Sequence, residues 1–93
     1  MTMQTDVLSA TATADGTMVA GPARVKGILL TTTTSAGSVV LKDGGASGTT
    51  LVTLNTPAVA EMFNALLPGE GIRFTTDVYV DVTDVSSVTV FYG

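Results

Sequence analysis

The stretch "DVYVDVTDVSSVTVFYG", residues 77–93, alternates apolar and polar side chains with a period of two. Successive side chains on a strand point to opposite faces, so such a pattern makes a ribbon with one buried face and one wet face. A helix, repeating near 3.6, would spread the same valines around its circumference. Val78, Val80 and Val82, and later Val88 and Val90, are therefore expected to face a core. Asp77, Tyr79, Asp81 and Thr83 fall on the opposite side. Valine and threonine dominate, and both are stiff at χ1 and fit a pleated surface.

The same period runs through most of the chain. "TDVLSATATA" (5–14) sets Val7, Ser9, Thr11 and Thr13 against Leu8, Ala10, Ala12 and Ala14, and "DG" (15–16) marks a turn. "TMVAGPA" leads into a long strand over 24–34, with Gly27 as a bulge or a point of close approach. Strands are predicted at 38–42, 49–55, 72–76, 77–83 and 86–93. Residues 56–71 fit two templates: Ala58, Met62, Ala65 and Leu66 have helical spacing, but the all-β context favours strand or coil. At most one short helical turn is expected, within 57–66. About eight short strands at regular spacing predict a single all-β domain over 1–93, a β-sandwich of jelly-roll-like kind.

Composition narrows the function. The chain has no cysteine and no histidine, which removes thiolate metal sites and the commonest general base. Only 13% of residues are charged, against about 25% in ordinary soluble domains. Four basic residues face eight carboxylates, a net charge of −4, so no basic stripe is available for nucleic acid. The aliphatic runs "ILL" and "VVL" are far too short to span a membrane, and the start "MTMQTDVLSATATADG" has no signal-peptide pattern.

Three stretches could carry chemistry. "LKDGGASGTTLVTL" (41–54) has glycines but no lysine where a phosphate loop needs one, and a strand follows it where that loop needs a helix. Asp43 is its only carboxylate, too few for calcium. It reads as a hairpin tip whose glycines supply positive φ. "LPGEG" (67–71) reads as a type II turn with a solvated Glu70. In "DVYVDVTD", Asp77 and Asp81 lie four residues apart, roughly 13 Å on a strand. That exceeds the separation of about 9.5 Å at which even inverting glycosidases hold their carboxylates. The Asp77/Tyr79/Asp81 face, together with Phe91, is a candidate interface, and no catalytic, metal or cofactor site is expected. The run "TTTT" (31–34) reads as a strand end, since only alternate threonines share a face.

The stretches "GSVVLKDGGASGTTLVTLNTP" and "LLPGEGIRFTTDVYVDVTDVSSVTVFYG" carry a resemblance. With their "LKDGG" turn, their "PGEGIRF" passage from turn to strand and their "VTVFYG" ending, they resemble a family of short virion proteins of tailed phages, especially phages of marine bacteria. The resemblance runs from about Val25 to Gly93. It implies an accessory structural protein of the virion, such as a head decoration or cement protein, that trimerises and binds the major capsid protein where capsid subunits meet. The alternative is a receptor- or glycan-binding module of a fibre or spike, using the Asp77/Tyr79/Asp81 face or the "DGGASG" tip. Composition independently points to oligomerisation or docking, because a small, charge-poor, cysteine-free domain lacks the usual staples. The edge of "SVTVFY" (87–92), without lysine or proline, is expected to need covering.

Overall fold

The computed structural model describes residues 8–67 and 71–93. Nine strands follow one another: β1 (Leu8–Ala12), β2 (Gly16–Val19), β3 (Ala23–Thr32), β4 (Gly37–Asp43), β5 (Thr49–Thr56), β6 (Met62–Leu66), β7 (Ile72–Phe74), β8 (Val78–Thr83) and β9 (Val85–Tyr92). All pairings are antiparallel. One sheet runs β1-β9-β3-β6, with β7 also pairing β3, and the other runs β2-β8-β4-β5. The described residues contain no helix, and so none long and apolar enough to cross a membrane.

The pairing is nested. β4 pairs β5, β3 pairs β6 and β7, β2 pairs β8, and β1 pairs β9. The chain is thus one long hairpin, folded at the "DGGASG" tip and rolled so that alternate strand pairs fall in opposite sheets. This is the strand order of a jelly roll. β6 pairs Gly27–Thr31 and β7 pairs Ala23–Val25 of the same long β3, so together they occupy a single strand position in the roll.

The alternation explains the core. Val25, Ile28, Leu30, Phe74, Val85, Val88 and Val90 from the first sheet meet Val39, Leu41, Val52, Val78 and Val80 from the second, all buried. Val82, expected in the core, is only half-buried at its margin. Ala10 and Ala12 of β1 pack against the core while Ser9 and Thr11 are exposed, so the two faces that the sequence separates are distinct, although Leu8 on the alanine face is also exposed. At the start of β4 a Cβ on Gly37 would lie 1.9 Å from the carbonyl oxygen of Thr83, so only glycine lets the ends of β4 and β8 pack.

Some expectations change. The first strand ends at Ala12, not at 14, and residues 16–19, read as a lead-in, form a strand of their own. Residues 57–61 are irregular and 62–66 are strand, so the helical alternative for this segment is not the one taken. β9 is not an edge: β1 covers one side of it and β3 the other. The expected turn at Pro68, Gly69 and Glu70 lies outside the described residues.

Candidate functional site

The candidate interface residues do not share one surface. Tyr79 and Asp81 lie on the outer face of the second sheet, opposite Lys42 and Val40 of β4. Asp81 forms an ion pair with Lys42, Oδ2 to Nζ 3.8 Å, and Lys42 also donates to the Ala46 carbonyl at 3.0 Å. Phe91 is on the other sheet. It stands opposite Ser9 and Gly27, and a Cβ on Gly27 would touch the Phe91 ring at 3.6 Å and Leu66 at 3.8 Å. The absent side chain of Gly27 is the space these two apolar groups cover.

Asp77 turns to a structural task. Its Oδ1 accepts the N–H groups of Gly44 (2.9 Å) and Gly45 (3.1 Å) in the hairpin tip, where both glycines have positive φ. Asp43 reaches the other way. Its Oδ2 accepts the N–H and the hydroxyl of Thr75, both at 2.9 Å, and its Oδ1 accepts the N–H groups of Thr76 (2.8 Å) and Asp77 (3.3 Å). The N–H groups of Thr75 and Thr76 hold the Asp43 pKa down to about 2. Partial desolvation opposes them, and the Thr75 hydroxyl and the Asp77 N–H assist. A carboxylate cradled by several backbone N–H groups is the usual origin of such a value. The hairpin tip read from the sequence is correct, but the role of Asp43 there was missed.

Two outer surfaces remain open to partners. On the first sheet the register lays out three cross-strand rows: Ser9, Phe91, Gly27, Leu66; then Thr11, Thr89, Leu29, Asn64; then Ser87, Thr31, Met62. None of these residues is charged, and no carboxylate occurs in any strand of this sheet. A Thr11–Thr89 hydroxyl pair at 2.8 Å ties one row together. The second surface is the side where the edge strands β5 and β6 lie close. A cavity of about 190 Å³ opens there between Leu30, Leu54, Pro57, Phe63 and Ala65. Met62 and Leu66 of the same strand as Phe63 and Ala65, in the outer-face rows of the first sheet, are 67% and 83% exposed. Neither strand itself carries a charge or a proline, although Pro57 follows β5 and the exposed Glu61 precedes β6.

Thr32 anchors the crossover into β6. Buried, it reaches the carbonyls of Val59 and Glu61 through its hydroxyl, which also accepts the Glu61 N–H at 3.0 Å. Among the described residues no group of three or more His, Cys, Asp or Glu side chains is placed to hold a metal ion. Comparison with protein-family models, with curated proteins and with solved structures finds no match to the chain.

Proposed function

We propose that this protein is a non-enzymatic structural component of a tailed-phage virion: a head decoration or cement protein that trimerises and binds where capsid subunits meet. The resemblance over residues 25–93 supplies the virion. A jelly roll by itself does not, since one fold hosts many functions.

The observation that carries the reading is the pair of edge strands β5 and β6, neither of which contains a charged residue. Strand edges normally bear lysine, proline or a bulge that blocks pairing with another chain. β6, "MFNAL", has no such protection and exposes Met62, Phe63 and Leu66, of which Phe63 lines an apolar cavity. Such a side suits burial against copies or a scaffold. The stabilising mechanism is linkage: a protein that binds only the assembled shell favours it by RT ln(1 + [L]/Kd).

The glycan-binding alternative draws less support from the geometry. Asp77 spends an oxygen on the hairpin tip, and Asp81 is engaged by Lys42. Labelling purified virions with antibody against the chain tests both readings. Dense label over the head is expected. A few copies at the tail would favour the fibre reading, and unlabelled particles would reject the virion assignment.

A further inference from the structure

We infer that the corner where β3 meets β7 binds an oxyanion, a carboxylate or phosphate-type group presented by a partner. The register places Arg24 directly opposite Arg73. Val25 and Phe74, their neighbours, are wholly buried, so alternation sends both arginines outward, and both are exposed. Lys26 follows at the β-bulge between Val25 and Gly27. Three of the four basic residues of an acidic chain thus gather at one end of a sheet whose strands hold no carboxylate.

Like charges placed directly across an antiparallel pair repel, so this arrangement weakens the free fold. Among the described residues neither arginine forms an ion pair with a side-chain carboxylate; the ion pair found there is Lys42–Asp81. Arg24 and Arg73 both line an open cavity of about 220 Å³, together with Pro22, Phe74 and Gly93. Its side wall is fixed by paired backbone bonds: Arg24 N–H to the Gly93 carbonyl at 3.2 Å, and Gly93 N–H to the Arg24 carbonyl at 3.0 Å. Guanidinium forks match the paired oxygens of carboxylates and phosphates, and two forks at one opening can converge on a single group. Three charges in one corner cannot track a nucleic-acid backbone, so the ligand is a single anionic group. The inference stands independently of where the protein sits in a particle.

The test is a nuclear magnetic resonance titration of the whole chain with inorganic phosphate and, separately, with acetate, each against sodium chloride at equal ionic strength. Saturable shifts centred on Arg24, Arg73 and Gly93 are expected, with the double variant Arg24→Gln, Arg73→Gln binding at least tenfold more weakly. Stronger saturation by phosphate assigns a phosphoryl or similar tetrahedral source, and stronger saturation by acetate a carboxylate source. Without added anion, Arg73→Gln should keep or raise the thermal midpoint, because it removes repulsion. Shifts no different from chloride, or a lowered midpoint with no loss of binding, would overturn the assignment.

Discussion

Asp43 and Asp77 hold each other's loops. Asp43, at the end of β4, takes up the N–H groups of residues 75–77, and Asp77 takes up those of Gly44 and Gly45 just beyond Asp43. The two carboxylates thus lock the tip of the nested hairpin to the turn between β7 and β8. Each one satisfies backbone donors that the strand ladders leave over.

The clasp predicts an acid sensitivity whose sign follows from the Asp43 pKa. The ordinary value is 3.8 and the folded value about 2, so the unfolded chain takes up the proton first. The contribution of Asp43 is therefore complete above about pH 4 and is lost as pH falls towards 2. Thermal midpoints of the wild type and Asp43→Asn should differ at pH 7 and converge near pH 2. A constant difference across that window would mean that the carboxylate charge is not what the Thr75 and Thr76 donors read.

The β8 register predicts an asymmetry between neighbours. Val80 is wholly buried, whereas Asp81 is half-exposed in a long ion pair. Val80→Asp buries a charge without a partner and should abolish folding. Asp81→Asn should cost no more than about 1 kcal/mol, as exposed pairs do. Leu41→Ala, in the same core, should cost about 2–5 kcal/mol. Urea unfolding measures all three, and similar effects at positions 80 and 81 would refute the register.

The hydroxyl of Thr32 gives a third case. Thr32→Val keeps the shape and the Thr32 N–H bond to the Glu61 carbonyl at 2.8 Å, but strands the Glu61 N–H and the Val59 carbonyl, a loss of about 1–3 kcal/mol. Thr32→Ser retains the hydroxyl and should recover most of that stability. If the two variants unfold at the same urea concentration, the hydroxyl does not anchor the 57–61 crossover.

What the sequence made legible was local. Alternation at Val78–Val80 and Val88–Val90 marks strands and their buried faces, and "DGG" marks a hairpin tip. The Asp43–Asp77 clasp could not be seen because its bonds join residues more than thirty apart, brought together only by the roll. "GTMV" is too short and glycine-led to show a period, so β2 was missed. Met62, Ala65 and Leu66 fit helix and strand alike until pairing with β3 decides. Whether a strand is central or at an edge is a property of the sheet. Nothing in "SVTVFY" says that it sits between β1 and β3, whereas "MFNAL" does not.

That exchange of edges relocates the assembly prediction. The chain is expected to form a homo-oligomer, a trimer on the phage resemblance, and the geometry moves the contact from β9 to the β5–β6 side. Met62 and Leu66 are largely exposed there, so replacing both with lysine should leave the fold intact while guarding the edge. Light scattering coupled to size exclusion should show an oligomer for the wild type and a monomer for Met62→Lys, Leu66→Lys. Because both edge strands lack charge, the wild-type mass should change little between low and high salt. A wild type that is monomeric at micromolar concentration, and that assembled shells fail to recruit, would defeat the claim. Met62 and Leu66 also belong to the Phe91–Leu29 rows of the first sheet, so a lysine variant that remains oligomeric would place the contact away from both β6 and that face.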